Sequence, residues 1–561
     1  MSEPSVFRLS FKDYLNAALL YLVITLLFFL PSLRFFSGSI IGPAEDNMFI
    51  LWSLWYGSGS LANHTAGFMQ TQQIFYPEGI SLLFCNYYFY GVFLTVFLKL
   101  FLGLPLIYNL LVCHTFVLAG VGAFWLAQSL TGDRRASLLA GFIFAFNPSH
   151  FAHSLHHLTI ASIQFVPFFV LFVLQAVKQE KKSAVAWASL FMILNALCDW
   201  NFLVFDFLFL GFIFLYLIFK YRKEAIRKMK YLLAIPAVTI FFLSPLIIPM
   251  TLVGLRQSFV GDLSGHDTYV ADFFGFFVPH AYHLVFPLSQ RIREINASMT
   301  GNAWESAVYL GLANLLVVAA AARWTWKKHK KYFLVIAVFM VLAMGVTPHF
   351  LGQSLPFPLP YRALQELPLL KQARNPSRII LYAYLFLALL TAFSFREIAS
   401  RLRQGLAKKI ILAVIILAVF FDFYSWSSAM TPVTLPPAYV QIQKDTEKDF
   451  GILELPWDGA RYMMYQTLHG IPGVQGYMGR RVERTLSSRL VYDLKHLDVQ
   501  KIMLIENRVK YIVLHKRRLT WDAAKAADIR YSLFLENASS IYSKTYQKIY
   551  EDEKAATFKV Y

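Results

Sequence analysis

Two adjacent carboxylates, Glu45 and Asp46, stand in the segment IGPAEDN at 41–47, directly after the first long apolar run. That run, at 15–33, is long enough to cross a bilayer, so the carboxylates should lie at a membrane surface. A carboxylate in this place could deprotonate or orient the hydroxyl group of an acceptor molecule. Asp46 is our candidate for that role, and the second catalytic acid is either Glu45 or Glu305, which stands in a later polar loop. The alternative interpretation is a pair of solvated loop residues.

Several histidines crowd the segment NPSHFAHSLHHL at 147–158. The spacing of His150, His153 and His157 would place them on one face of a helix, where their imidazoles could bind zinc or another divalent ion. Alternatively, these histidines cap helix ends at the membrane interface and hydrogen-bond to one another. The segment therefore predicts a candidate divalent metal site, with no cofactor established by the sequence.

Basic residues precede the apolar run at 379–395, in the segment LLKQARNPSRI. Arginine at the start of a helix could clamp a lipid phosphate, because its planar fork matches phosphate oxygens and the helix start supplies further donors. It could equally anchor the helix at the lipid headgroups. With polar residues of other loops, the candidates for substrate binding are Lys371, Arg374, Arg378, His150, His153, Asn86 and Asp199.

The composition places these residues in a membrane protein. Of the 561 residues, 57% are hydrophobic and 15% are charged, whereas soluble proteins carry about 25% charged residues. The net charge of +19 comes from Lys and Arg in short loops between apolar runs, which indicates a membrane orientation and not a nucleic-acid surface. The three cysteines show no metal or redox spacing, so we expect no disulfide.

The apolar run at 87–102 decides the topology. It has about 16 residues, fewer than the roughly 20 that a span needs. If it does not cross, the N-terminus and all the basic loops lie on the cytoplasmic side, as the positive-inside rule requires. The sequence then predicts a plasma-membrane protein with about eleven spanning helices. After the first helix, the predicted spans are 107–130, 136–146, 159–177, 185–197, 203–219, 231–250, 307–321, 332–346, 379–395 and 410–426.

Composition changes after residue 426, where prolines mark a linker and the chain becomes charged and mixed. We predict two domains, a membrane domain at 1–426 and a small extracytoplasmic α/β domain at 427–561. The elements expected in the second domain are a strand at 451–457, a helix at 461–470, a helix, turn and strand at 501–517, and a hairpin at 549–561.

The order of these features resembles the GT-C class of integral membrane glycosyltransferases. The resemblance rests on the acidic first outer loop, the turn FYPEG, the basic turn GDRR at 132–135, the proline-bearing loop FNPSH at 146–150 and the soluble C-terminal domain. A closer pattern is similar to YfhO-like membrane proteins. It comprises DFFGFFVPH at 272–280, ESAVYLG at 305–311, LLKQARNPSRI at 369–379, and ILELP, YQTLHG and GYMGR within 452–480.

The resemblance implies a mostly α-helical GT-C-like fold and transfer of a sugar from a polyprenyl-phosphate donor to a glycan, lipid or protein acceptor on the outer face. It also implies that Asp46 is the base or the group that orients the acceptor. Oligosaccharyltransferase-like members carry an acidic D-x-D motif in the second outer loop, where this chain has histidines. That departure weakens a metal-dependent mechanism of that subtype.

Two other functions remain compatible with the sequence. A transporter or flippase of lipid-linked sugars would place charges within spans and would contain internal repeats. We find no clear repeat, and charged residues stand mostly at the ends of spans, with Asp206 as the main exception. A non-catalytic membrane protein of envelope assembly would use the C-terminal domain as a binding module.

Overall fold

Helices dominate the chain. The computed structural model describes residues 10–63, 69–85, 87–221, 225–256, 265–367, 373–447, 449–457, 459–478, 485–516 and 538–561. In chain order the helices are α1 Phe11–Phe28, α2 Asp46–Ala62, α3 Phe89–Leu98, α4 Leu104–Thr131, α5 Arg134–Ala145, α6 Pro148–His156, α7 Leu158–Ala161, α8 Val166–Gln179, α9 Lys182–Cys198, α10 Trp200–Tyr221, α11 Ala225–Arg256, α12 Gly265–Thr268, α13 Gln290–Ser298, α14 Leu312–Ala343, α15 Tyr361–Leu364, α16 Ile380–Arg401, α17 Leu406–Phe423, α18 Val440–Gln443, α19 Gly459–His469, α20 Leu486–Arg489 and α21 Leu497–Glu506.

The strands are short. They are β1 Ser39–Ile41, β2 Gln70–Thr71, β3 Ile80–Ser81, β4 His349–Phe350, β5 Gln353–Ser354, β6 Met430–Pro432, β7 Gly451–Leu455, β8 Val509–His515, β9 Gln547–Glu551 and β10 Ala555–Lys559. The chain divides into two compact units. The first contains Met1–Arg34, Asn109–Ile248 and Gly261–Ala429, and the second contains Phe35–Tyr108, Pro249–Val260 and Met430–Tyr561.

Helix α16 lies in the middle of the first unit. Every residue from Ile380 to Phe395 is buried, and the helix packs against α5 and α14. A helix that is apolar on all its faces needs such surroundings. Close packing extends to α1, where the hydroxyl of Tyr21 donates to the Leu138 carbonyl at 3.0 Å. A Cβ atom on Gly141 would lie 2.0 Å from that hydroxyl, so only glycine leaves room for the ring.

Several helices can cross a membrane. Within the described part of the chain, five helices are both long and apolar enough, namely α1, α4, α10, most of α11 and the segment Pro376–Arg401. The expectation of a multi-pass helical membrane protein is thus confirmed, and the number of about eleven spans stays a prediction. Helix α3 covers only ten residues, or about 15 Å, which agrees with the prediction that 87–102 is too short to cross.

Two predicted spans begin later than expected. The span predicted at 159–177 starts at Val166, since Pro167 occupies the first turn of α8 and cannot continue a preceding helix. The span predicted at 307–321 starts at Leu312, because Gly311 directly before it adopts a φ of +84°, which is outside the helical region. The spans predicted at 307–321 and 332–346 are both parts of α14, which is interrupted by non-helical backbone at His329.

The second unit contains a four-stranded sheet in the order β7-β8-β10-β9. Strands β7 and β8 are parallel, whereas β10 is antiparallel to both β8 and β9. The predicted strand, helices and hairpin of the C-terminal segment are therefore present, with shifts of a few residues at their ends. The core against this sheet also includes Tyr76, from the FYPEG turn of the first loop. The division into domains at 1–426 and 427–561 stays a prediction.

Candidate functional site

Glu305 is the centre of a buried polar cluster in the first unit. It precedes α14, and only 2% of its surface is exposed. Its carboxylate accepts hydrogen bonds from Arg378 Nε at 2.9 Å, from Asn375 Nδ2 at 2.8 Å and from Ser377 Oγ at 3.0 Å. The Arg378 terminal nitrogen also contacts it. A buried charge needs such partners, and here one short segment supplies them all.

The segment that supplies them is NPSR, at the entry to α16. Pro376 begins a 3₁₀ turn at Pro376–Ile379, with its ring at a position where a missing N–H costs little. The backbone N–H of Ser377 donates to the Tyr269 carbonyl at 3.2 Å and fixes the turn. The turn thus directs Asn375, Ser377 and Arg378 towards one carboxylate. The sequence analysis selected Arg378 in this segment but did not select Asn375 or Ser377, although both are polar residues directly before an apolar helix.

The surroundings decide the charge states. Burial alone would raise the pKa of Glu305, but the guanidinium of Arg378 outweighs it and holds that pKa below its usual value. Burial lowers the pKa of His153 well below its usual value, although Glu305 acts in the opposite direction. The cluster at neutral pH therefore holds an ionised carboxylate, a guanidinium and a neutral imidazole.

Helix α6 positions the histidines. The side chain of Asn147 caps the helix by accepting from the His150 N–H at 2.9 Å, and Pro148 occupies its first turn. His153 lies inside the helix, and His157 is the residue that ends it. The two Nδ1 atoms of His153 and His157 are 3.4 Å apart, and His153 Nε2 is 3.7 Å from Glu305 Oε2.

His150 points elsewhere. Its Nδ1 lies 2.5 Å from the Ala145 carbonyl and its Nε2 lies 3.0 Å from Thr115 Oγ1, while its ring stacks on Phe116. Among the residues that the structure describes, His153, His157 and Glu305 form a group whose ligand atoms all lie within 4.8 Å of one another. The sequence pattern assumed one continuous helical face, but α6 ends before His157, and a residue distant in sequence completes the group.

Aromatic residues that sequence analysis did not select adjoin the cluster. The ring of Trp304, the neighbour of Glu305 in the chain, stacks on His156 at a centroid distance of 4.1 Å. His156 Nε2 lies 2.7 Å from the hydroxyl of Tyr282. A narrow pocket opens beside the cluster, and its lining joins polar and apolar residues. These are Asn147, Ser149, His150, His153, Ile160, Ile163, Phe202, Arg378 and Leu381.

The other predicted residues of the first unit lie apart from these contacts or take a local role. Asp199 is buried, and its Oδ1 accepts from the backbone N–H and the side-chain amide of Asn201 at 2.9 and 2.7 Å, so it shapes the turn between α9 and α10. Arg374 is half-buried, and within the described part of the chain it forms no ion pair. The predicted sites Lys371 and Asn86 fall outside the described residues.

The carboxylates of IGPAEDN belong to the second unit. Asp46 is the first residue of α2, and Glu45 is the residue that precedes the helix. A negative charge at this end of a helix is favourable. The carboxylate of Asp46 accepts a hydrogen bond from the hydroxyl of Tyr477, which belongs to the C-terminal segment. Both acidic side chains are half-buried.

A family model described as "Domain of unknown function (DUF6311)" matches residues 51–424, more than half of the chain. The chain belongs to the DUF6311 family. No curated protein matches this DUF6311 member.

Solved structures are similar to the DUF6311 chain over nearly its whole length. One is the Archaeoglobus fulgidus oligosaccharyltransferase tethered with an acceptor peptide, which shows 13% identity and a TM-score of 0.51 and covers 99% of this chain and 74% of that chain. The same enzyme in complex with Zn and sulfate shows 12% identity and a TM-score of 0.51, covering 97% and 72%. ArnT from Cupriavidus metallidurans in the apo state shows 11% identity and a TM-score of 0.49, covering 98% and 97%.

At this level of identity the similarity to the oligosaccharyltransferase concerns the fold. The fold of this DUF6311 member is the mostly helical GT-C-like membrane fold, which confirms the predicted fold class. The closer resemblance to YfhO-like proteins stays a prediction.

Proposed function

We propose that the protein is a membrane glycosyltransferase. In this proposal it transfers a sugar from a polyprenyl-phosphate-linked donor to a glycan, lipid or protein acceptor on the outer face of the plasma membrane. The observation that carries the proposal is the position of Asp46 within this fold. Asp46 is a half-buried carboxylate at the first residue of α2, after the first membrane helix. The similarity in fold to an oligosaccharyltransferase covers 99% of this chain.

The chemistry assigns a role to each candidate. Asp46 accepts the proton of the acceptor group, which attacks the anomeric carbon of the sugar. The bond between that carbon and the phosphate oxygen breaks, and polyprenyl phosphate leaves with the electron pair. Positive charge stabilises the leaving phosphate, and Arg374 and Lys371 are our candidates for this role.

Arg378 and Glu305 have a different part in this proposal. Hydrogen bonds from three residues occupy the carboxylate of Glu305, and its low pKa makes it a weak base. We therefore assign Glu305 to positioning Arg378, instead of the second catalytic acid that the sequence suggested. The arginine lines the narrow pocket, where its guanidinium would meet a phosphate group.

A divalent cation is a further part of the proposal, at His153, His157 and Glu305. These three residues would hold the ion, because one ligand atom of each lies within 4.8 Å of the ligand atoms of the other two, and imidazole and carboxylate are ligands that zinc accepts. Burial keeps His153 neutral, which is the form that binds metal. Arg378 offsets the charge of Glu305, so the imidazoles would supply most of the affinity. A bound ion would add positive charge beside the pocket.

The metal content of the purified protein tests the proposed divalent cation site. We expect the purified full-length protein to retain zinc after zinc loading and dialysis, as measured by elemental mass spectrometry. His153→Ala and His157→Ala should each lower the zinc content at least about tenfold. His150→Ala is the matched control on the same helix and should retain the metal, because His150 bonds to Ala145 and Thr115. A wild-type protein without zinc, or loss of zinc in His150→Ala alone, would contradict the assignment.

Asp46→Asn tests the transferase itself. In membranes that contain the protein, we expect this variant to lower the release of free polyprenyl phosphate and the labelling of acceptor by about 10²- to 10⁴-fold, because the base is lost. The matched control is Asp449→Asn in the same unit, whose carboxylate is 74% exposed and pairs with Arg508. The control should transfer like the wild type. Unchanged transfer by folded Asp46→Asn protein would refute the catalytic role of Asp46.

A further inference from the structure

The C-terminal segment after α17 contacts the loop IGPAEDN at 41–47, which is called the acidic loop below. Strand β6 pairs antiparallel with β1, and Ile40 stands opposite Thr431. The hydroxyl of Thr431 donates to the Gly42 carbonyl at 2.9 Å. These contacts fix the backbone directly before Glu45 and Asp46. The acidic loop is therefore held by residues that come almost four hundred positions later in the chain.

Helix α2, which Asp46 begins, is held by the same segment. The indole N–H of Trp52 donates to Gln466 Oε1 of α19 at 2.6 Å, and both side chains are buried. The amide nitrogen of Gln466 in turn donates to the Ile471 carbonyl at 2.8 Å and to the Gln73 carbonyl at 2.5 Å. Buried hydrogen bonds of this kind are costly to leave unmade, so they fix α2 relative to α19.

Tyr477 completes the arrangement. Its hydroxyl donates to Asp46 Oδ1, and its ring meets Phe49 of α2 edge-on at a centroid distance of 6.3 Å. The neighbouring Gly476 packs directly on the FYPEG turn, where an added Cβ would lie 2.8 Å from the Phe75 ring. The backbone before Tyr477 therefore has a fixed approach to Asp46.

We infer that Tyr477 is a positioning residue for Asp46, and that the C-terminal segment is part of the catalytic unit and not a detachable binding module. This inference rests on the proposed function. The tyrosine hydroxyl holds the carboxylate in one orientation, which keeps the angle between the carboxylate and the acceptor constant. Orientation of a catalytic group contributes strongly to rate, since small misplacements are costly.

The test is Tyr477→Phe, which removes only the hydroxyl. We expect kcat for sugar transfer to fall about 10- to 100-fold, with KM for the lipid-linked donor unchanged. In an Asp46→Asn background, the same substitution should change the residual rate less than about twofold, because the two residues act as one group. If Tyr477 had a purely structural role, Tyr477→Phe would lower kcat by the same factor in the wild-type and in the Asp46→Asn protein.

The matched control is Tyr550→Phe. Tyr550 also donates to a carboxylate of the same unit, Asp552 Oδ2 at 2.7 Å, far along the chain from Asp46. It should leave kcat unchanged. Hydrogen exchange at 43–50 provides a readout that needs no activity, and we expect Tyr477→Phe to accelerate it. Wild-type transfer rates in Tyr477→Phe, or unchanged exchange there, would overturn the inference. If the wild-type protein transfers no sugar, the proposed function fails, and accelerated exchange would still support the contact.

Discussion

At the scale of residues, Glu305 and Arg378 explain why a charge can be stable inside this protein. The two side chains are 1% and 11% exposed, and the carboxylate accepts from Arg378, Asn375 and Ser377. Removal of one partner from a buried pair leaves the other charge unpaired, which costs more than the pair itself contributes. The pair therefore holds the loop before α14 against the segment that precedes α16.

Glu305→Gln tests how much the ion pair between Glu305 and Arg378 contributes to stability. We expect the free energy of unfolding to fall by about 3–5 kcal/mol, because Arg378 would remain buried without a counter-charge. The three free cysteines Cys85, Cys113 and Cys198 are all buried, so a thiol-reactive dye would report thermal unfolding in detergent. The variant should expose its thiols at a clearly lower temperature than the wild type.

The control for this prediction is Glu397→Gln. Glu397 pairs with Arg401 at 2.7 Å and with Lys328 at 3.7 Å, and these two cations are 42% and 64% exposed. Loss of such a pair should cost no more than about 0.5 kcal/mol. Equal destabilisation by Glu305→Gln and Glu397→Gln would show that burial does not set the strength of the Glu305 pair.

At the scale of elements, local sequence predicted much of the structure. Strong local signals include the strand predicted at 451–457, the helix predicted at 461–470 and the final hairpin, since each combines a periodic apolar pattern with a clear stop. The starts of α8 and α14 were harder to place. Apolar composition continues through 159–165 and 307–311, while Pro167 and the positive φ of Gly311 set the true starts.

The candidate site was predictable only in part, because long-range contacts assemble it. The sequence selected Asp46, Glu305, Arg378 and His153 as individual candidates. It could not reveal that Glu305 joins His153, or that Tyr477 reaches Asp46 from 431 positions away. His150 was selected by its spacing, but a hydrogen bond to the Ala145 carbonyl turns its ring away. Contacts of this range depend on the packing of helices, which no local pattern encodes.

At the scale of the whole molecule, composition and charge distribution predicted a multi-pass helical membrane protein, and the resemblance of its motifs predicted the GT-C-like fold. An apolar chain with basic residues in short loops predicts a multi-pass helical protein, and five long apolar helices and the GT-C-like fold agree. Proteins of one fold class have different functions, so the proposed function rests on Asp46 in the acidic loop and on its contact with Tyr477. The transferase, the flippase and the assembly protein differ in what happens to the donor.

Reconstitution distinguishes these three functions. The full-length protein would be placed in liposomes with a polyprenyl-phosphate donor labelled in its sugar, and with membrane extract as the acceptor source. We predict that label passes to the acceptor while free polyprenyl phosphate appears in equal amount, and that Asp46→Asn protein does neither. Label that remains on the lipid while the donor changes leaflet, or a donor that is unchanged in both respects, would contradict the account.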